Sequence, residues 1–160
     1  MKNLFLTISL LFGLSFSVEW YEQGDGTSGW LIDGGNVTGW TFNQYSDSMT
    51  GYAVVVDSNG DDLVDQGIES NGSDGDLLGV FDSSGDLRGV AASTLTSPFS
   101  GLSLYSVLAA GESGDNGSAF TFRFYDASSG LTYNLDTGFT FDNLGSIGAL
   151  ASPLSLVLDM

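Results

Sequence analysis

The sequence predicts an all-β protein, a single β-sandwich of Greek-key or jelly-roll type preceded by a signal peptide. Three observations support this prediction. Helical signals are scarce, since Lys and Arg together number three in 160 residues while Gly numbers 23. Apolar and polar residues alternate in short runs with a period of two residues, as they do in a half-buried strand. Clusters of Gly, Asn and Asp interrupt these runs about every ten residues, as in sandwiches and barrels.

Residues 1–17 have the pattern of a secretory signal peptide. Lys2 places a positive charge ahead of an apolar run, and Ser15 and Ser17 are small residues at the −3 and −1 positions of a cleavage site before Val18. The apolar run is shorter than the ~20 residues that span a bilayer. The chain also lacks the cysteine that a lipid anchor needs. We therefore expect a secreted or cell-surface protein without membrane insertion.

The rest of the chain suits one domain, with an N-terminal β-hairpin segment at 18–41 and the sandwich module at 42–160. Ser58–Asp76 and Gly111–Ser118 are rich in Gly, Ser and Asp and predict surface loops. The predicted strands are Gly29–Asp33, Val37–Phe42, Tyr52–Asp57, Leu77–Asp82, Asp86–Ala92, Leu102–Leu108, Ala119–Asp126, Leu131–Leu135, Phe139–Phe141 and Leu154–Leu158.

Three connections have the composition of hairpin turns, because each offers Gly or Asn for a positive φ between alternating segments. They are Asp33–Asn36, Asp82–Gly85 and Ala127–Gly130. The run Phe120–Tyr125 is the clearest strand. Its three Phe residues fall on one face, and we interpret that face as core.

Charge and missing residue types exclude several functions. Removal of the signal takes away Lys2 and leaves Arg88 and Arg123 against 20 acidic residues, a net charge of −18. Such a surface repels nucleic acids and anionic lipids. We expect Arg88 and Arg123 each to form an ion pair or a bidentate hydrogen-bonded site that fixes strand packing, and the alternative is an Arg that binds an anionic ligand. The chain has no His and no Cys, which excludes Ser-His-Asp and Cys-His catalysis, His-ligated zinc and disulfides. We expect no enzyme activity.

An acidic loop predicts a calcium site. Asp57, Asn59, Asp61 and Asp65 occupy positions 1, 3, 5 and 9 of the loop, with a backbone carbonyl near Leu63, and Glu69 falls one place after position 12. Calcium takes six to eight hard oxygen ligands, which this spacing supplies in part. The alternative is a solvated acidic loop without an ion.

Aromatic residues near the N-terminus suggest a second kind of site. Trp30 and Trp40 each follow Gly on two strands predicted to be adjacent, and Tyr45 comes soon after. Together they form a candidate platform on which sugar rings stack. The alternative is core or edge packing, the commoner role of large aromatics in sandwiches.

Several short segments form a pattern when they are taken in order. They are Tyr45–Thr50, Asp76–Phe81, Arg88–Ala91, Leu104–Ser106, Phe120–Ala127 and Phe139–Phe141 with Ile147-Gly148 and Ser152–Leu154. In this order they resemble a β-rich module of secreted and surface proteins from marine and gliding bacteria, often found beside C-terminal sorting domains. The resemblance covers roughly residues 42–158 and implies a non-catalytic extracellular module. The chain departs from the pattern at Leu87, where a Glu or Cys is usual before Arg88, and it shows no sorting domain after its last strand.

These observations favour an exported bacterial module for binding or adhesion, steadied by calcium, with a glycan or a neighbouring surface protein as its partner. The alternative is a structural subunit that self-assembles into a filament or matrix, because the final strand Pro153–Leu158 alternates well and can pair with a neighbour's sheet edge. A carboxylate-dependent glycosidase is the third hypothesis, since paired Asp and Glu residues remain available.

Overall fold

A computed structural model describes residues 31–33, 36–38, 42–64 and 75–158. The strands are β1 (Leu31–Asp33), β2 (Asn36–Thr38), β3 (Asp47–Val56), β4 (Leu77–Phe81), β5 (Leu87–Thr96), β6 (Ser103–Gly111), β7 (Ala119–Asp126), β8 (Leu131–Thr140) and β9 (Leu154–Val157). A 3-10 turn at Phe42–Gln44 precedes β3, and a second at Ser113–Asp115 follows β6.

Strands β3 to β9 form two four-stranded sheets that pack as a sandwich, which confirms the predicted fold class. Sheet I has the order β8-β7-β4-β5, and sheet II has the order β5-β6-β3-β9. Strand β5 belongs to both. Its first half pairs with β4 from Leu87 to Ala92, and its second half pairs with β6 from Ser93 to Thr96. A register shift between Ser93 and Leu95 marks the passage from one sheet to the other.

The connections follow a Greek key. Strands β4, β5 and β6 are consecutive antiparallel neighbours, and β7 returns to lie beside β4. Strand β3 lies beside β6 in sheet II and connects to β4 in sheet I. Antiparallel pairing of β4 with β5 and of β7 with β8 confirms the hairpin turns predicted at Asp82–Gly85 and Ala127–Gly130. Strands β1 and β2 also pair antiparallel, with Asp33 opposite Asn36, and the two residues between them lie outside the described residues.

The core lies between the two sheets and is built from alternate residues of each strand. Phe120, Phe122 and Phe124 are at most 1% exposed, so the predicted core face of β7 is confirmed. Phe141 stacks on Phe120 with ring centroids 5.0 Å apart. Burying a side chain of this size stabilises the fold by about 2–3 kcal/mol. The aromatic row is thus a principal contribution to the cohesion of the two sheets.

Several predicted boundaries differ from the structure. Strand β3 begins at Asp47, five residues earlier than predicted, because Ser48–Gly51 pairs with β6 despite its polar and Gly-rich sequence. Strand β8 runs unbroken through Gly138, where the neighbouring Phe120 carbonyl leaves no room for a Cβ. Asp76, predicted to lie in a surface loop, is 1% exposed, because its carboxylate accepts the Ala127 N–H at 2.8 Å.

Most acidic residues of segments 42–64 and 75–158 lie at the two ends of the sandwich, and Asp136 near the middle of β8 is the exception. The upper end, where β3, β5 and β7 finish, holds Asp57, Asp61, Asp62, Asp76 and Asp126. The lower end holds Asp82, Asp86, Glu112, Asp115 and Asp142. Within the segments 42–64 and 75–158, no helix is long and apolar enough to cross a membrane.

Candidate functional site

The first part of the predicted calcium loop forms a tight turn closed by its own carboxylate. Asp57 Oδ1 accepts the N–H groups of Asn59 and Asp61, both at 2.8 Å, and Asp57 Oδ2 accepts the Asn59 side-chain amide at 3.0 Å. Gly60 completes the turn with φ +85°. The hydrogen bonds from the Asp61 N–H and the Asn59 amide hold the pKa of Asp57 below its ordinary value. The Asp57 carboxylate is therefore ionised and solvent-facing.

The remaining positions of the predicted calcium loop serve the fold or fall outside the described residues. Leu63 is half-buried against the core, and its N–H donates to the Val55 carbonyl at 3.3 Å. Asp65 and Glu69 lie outside the described residues. Within the part of the chain that the structure describes, no three acidic side chains are grouped closely enough to hold a metal ion. Calcium binding therefore stays a prediction.

Asp62 has a role that the sequence pattern did not indicate. Its Oδ2 accepts both the N–H of Ser103 at 2.7 Å and the Ser103 hydroxyl at 2.6 Å. This contact ties the loop after β3 to the first residue of β6. Hydrogen bonds that a carboxylate accepts contribute about 1.5–3 kcal/mol each when they are well formed.

A second turn repeats the Asp57 geometry and adds a cation. Asp82 Oδ1 accepts the N–H groups of Ser84 at 2.8 Å and Asp86 at 3.0 Å, and Gly85 has φ +85°. Asp82 Oδ2 accepts Arg88 Nε at 2.8 Å and Nη2 at 2.7 Å. Desolvation opposes ionisation of Asp82, but the hydrogen bonds from Arg88 and from these N–H groups outweigh it, so the pKa of Asp82 is lowered.

Arg88 joins three elements at the lower end of the sandwich. Besides Asp82, its Nη1 lies 3.4 Å from Asp115 Oδ2, and its guanidinium lies 4.7 Å from the centre of the Tyr45 ring. Tyr45 Oη donates to the Leu87 carbonyl at 3.3 Å. The expected ion pair of Arg88 is thus confirmed. The predicted platform residue Tyr45 carries Arg88 on one ring face, and Trp30 and Trp40 lie outside the described residues.

Arg123 stacks on the outer face of sheet I. Its guanidinium lies 3.8 Å from the centre of the Phe81 ring, which is fully buried. Phe81 belongs to a cluster on this face with Leu77 and Tyr125. The stacking of Arg over an aromatic ring contributes about 0.5–2 kcal/mol, depending on desolvation.

The outer face of sheet II bears no acidic or basic side chain on its strands, and we call its accessible part face II. Thr50, Ser106 and Ser155 are exposed on it, while Ser48, Tyr52 and Leu108 are half-buried. The register pairs Thr50 with Leu108 and Tyr52 with Ser106 across β3 and β6. Face II therefore combines an aromatic ring, an aliphatic side chain and several hydroxyl groups in one array.

The position of face II follows from two patterns in the sequence. Residues 89–111 contain no acidic or basic residue, although the chain holds 20 acidic residues. Alternation along β3 and β6 then places even-numbered residues on the outer face, because odd-numbered Met49, Ala53, Tyr105 and Val107 are in the core. The stretch contains neither a charged motif nor a Trp, so no sequence pattern marks it as a site.

Comparison with known proteins identifies no relative of this chain. No protein-family model matches the chain, and neither a curated protein nor a solved structure matches it.

Proposed function

We propose that the chain is an exported, non-catalytic module for binding or adhesion, and that face II contacts an uncharged extracellular polymer such as a neutral glycan. A single observation carries this proposal. Among the residues that the structure describes, the strands of the outer face of sheet II carry no charged side chain, while the acidic residues of segments 42–64 and 75–158 lie at the two ends of the sandwich and on the edge strand β8. The acidic ends of the sandwich keep the protein soluble. The outer face of sheet II therefore does not need charge for solubility, and it can contact a partner.

The chemistry of face II fits a polyhydroxylated ligand. The Tyr52 ring and the Leu108 side chain offer apolar surface for the C–H face of a sugar ring. The hydroxyl groups of Thr50, Ser106 and Ser155 each donate and accept hydrogen bonds, as sugar hydroxyls also do. No charged side chain of the face has to lose its water when the ligand binds. An anionic polymer would instead be repelled by the acidic ends.

The signal-like residues 1–17 and the resemblance to bacterial surface modules support export, and the loop from Asp57 onward supports calcium as a stabilising ion. We propose both as parts of the same function. Export is tested by N-terminal sequencing of protein from the medium or cell surface. A mature chain beginning at Val18 is the expected result, and an intact Met1 on cell-associated protein would contradict it.

Binding is tested by retention of purified protein on insoluble neutral polysaccharides, with anionic polysaccharides for comparison. Tyr52→Ala should weaken retention about tenfold, because loss of an aromatic contact costs about 1–2 kcal/mol. Phe99→Ala is the matched control, since Phe99 is 67% exposed at the upper end of the sandwich. It should bind as the parent protein does.

A charge placed on the face gives an independent test. Thr50→Asp should abolish retention, whereas Thr121→Asp, at an exposed position on the outer face of sheet I, should leave it unchanged. If no neutral polysaccharide retains the protein, or if the face and control variants behave alike, face II is not the binding surface.

A further inference from the structure

Two exposed Asn-Gly pairs lie in turns of the described structure. Asn59-Gly60 is in the turn after β3, and Asn116-Gly117 is in the turn before β7. An Asn followed by Gly loses its side-chain amide most readily, because Gly has no Cβ to hinder attack by its backbone nitrogen on the Asn amide carbon. A Cβ placed on either Gly would meet no atom within 4 Å, so both pairs have open space beside the backbone.

The reaction at Asn59-Gly60 needs no reactant other than water. The Gly60 nitrogen loses its proton and forms a bond to the Asn59 amide carbon. The bond from that carbon to Nδ2 breaks, and the amide takes up a proton and leaves as ammonia. Water then opens the resulting cyclic imide at one of its two carbonyl carbons. The product at position 59 is an aspartate or an isoaspartate, and no atom is oxidised or reduced.

The hydrogen bonds that hold Asn59-Gly60 stay within one turn. The Gly60 N–H donates to the Asp57 carbonyl at 3.0 Å, and the Asn59 side-chain amide donates to Asp57 Oδ2 at 3.0 Å. Both Asn59 and Gly60 are exposed. A short exposed turn opens locally at a small cost in free energy, without separation of the strands beside it. The Gly60 nitrogen is therefore released for attack while the domain stays folded.

The second pair is held by a distant part of the chain. The Gly117 N–H donates to the Phe141 carbonyl at 2.9 Å, and Asn116 Oδ1 accepts the Asn143 N–H at 2.8 Å. The Phe141 side chain is fully buried in the core. Release of the Gly117 nitrogen therefore requires the segment after β8 to move away from this turn, which is a larger opening than that at Gly60.

We propose that Asn59 is a site of spontaneous deamidation in the folded protein, and that the contacts with Phe141 and Asn143 protect Asn116 from the same reaction. The change replaces an amide that donates to Asp57 by a carboxylate that cannot donate, and it adds a negative charge beside Asp57. An isoaspartate also lengthens the backbone between Asp57 and Asp61, which hydrogen bond to each other across the turn. The turn after β3 is thus where the folded protein changes chemically with age.

The experiment incubates the purified protein at mildly alkaline pH and follows each Asn-Gly pair by peptide mapping and mass spectrometry. In the folded protein, conversion at Asn59 should be at least about tenfold faster than at Asn116, because tertiary contacts suppress local opening. In concentrated urea, which removes both sets of contacts, the two rates should agree within about threefold. Asn71-Gly72 lies outside the described residues and is mapped separately.

Asn59→Gln is the control variant. It keeps an amide at this position, but its longer side chain disfavours ring closure. It should remove the conversion at position 59 and leave the rate at Asn116 unchanged, and circular dichroism shows whether it is folded. No conversion at Asn59, equal rates at Asn59 and Asn116 in the folded protein, or the same tenfold difference in urea would overturn the proposal. A chelator is present throughout and no polysaccharide is added, so the outcome is independent of calcium binding and of face II.

Discussion

Replacing Arg88 tests how the lower end of the sandwich is held together. Arg88→Met keeps most of the side-chain volume and removes the guanidinium. The side chains of Arg88 and Asp82 are 13% and 9% exposed, so the Asp82 carboxylate would lose its cation with little compensation from water. Breaking such a buried pair costs about 3–5 kcal/mol. Asp82 keeps two backbone N–H donors, which limits the loss to about 3 kcal/mol.

Urea unfolding of the parent protein, Arg88→Met, Asp82→Asn and the double variant measures this cost. We expect a coupling free energy between the two positions of about 2 kcal/mol, because the two side chains share a pair of hydrogen bonds. A coupling below about 0.5 kcal/mol, the value typical of exposed pairs, would refute the reasoning. Arg88→Lys is the control that retains charge but loses the forked hydrogen bonds.

The same pair predicts a pH dependence. The pKa of Asp82 in the folded protein lies below its ordinary value, because the hydrogen bonds from Arg88 and the turn outweigh desolvation. The stabilisation is therefore complete above the unfolded pKa of about 3.9 and is lost as the pH falls from there through the folded pKa. We expect the stabilities of the parent and Arg88→Met to begin to converge below about pH 4 and to differ least below the folded pKa of Asp82. A constant difference down to pH 2 would contradict this assignment.

Two further predictions concern packing and ion binding. Gly89→Ala should destabilise the fold by at least about 2 kcal/mol in urea, since its Cβ would overlap the Leu108 carbonyl. Gly114→Ala, whose Cβ would meet no atom within 4 Å, should change stability by less than about 0.5 kcal/mol. Calcium should raise the melting temperature and a chelator should reverse the rise, and the double variant Asp57→Ala with Asp61→Ala should lose the effect. No calcium effect, or the same effect in that variant, would exclude an ion at this loop.

The strands and turns were predictable because their signals are local. Alternation across Phe120–Tyr125 identified both a strand and its buried face, and Gly85, three residues after Asp82, identified the turn between them. The pairing of β9 with β3 was not predictable, because parallel pairing between distant segments leaves no local pattern. The register shift of β5 after Ser93 was not predictable for a related reason. It occurs where β5 changes its partner from β4 to β6, and a change of partner leaves no local pattern.

The candidate site was less accessible to sequence reasoning than the fold. The spacing of Asp57, Asn59 and Asp61 is compatible both with ligating an ion and with closing a turn, and the hydrogen bonds show the second use. No sequence motif marks face II, because its defining feature is that neither β3 nor β6 places a charged side chain on it. An absence of charge on a shared face becomes visible only once the strand register is known.

The pairing of β9 with β3 also sets the order in which the domain can be completed. Ala53 pairs with Leu154, 101 positions later in the chain, and Leu156 and Leu158 fill the core beside β3. The domain therefore stays incomplete until nearly all of residues 42–158 are present. We propose that the chain is exported N-terminus first. The delay then keeps the segment that leaves the export channel extended, and the domain folds after the whole segment has passed through. Folding across so long a loop is slow, which favours threading over premature collapse.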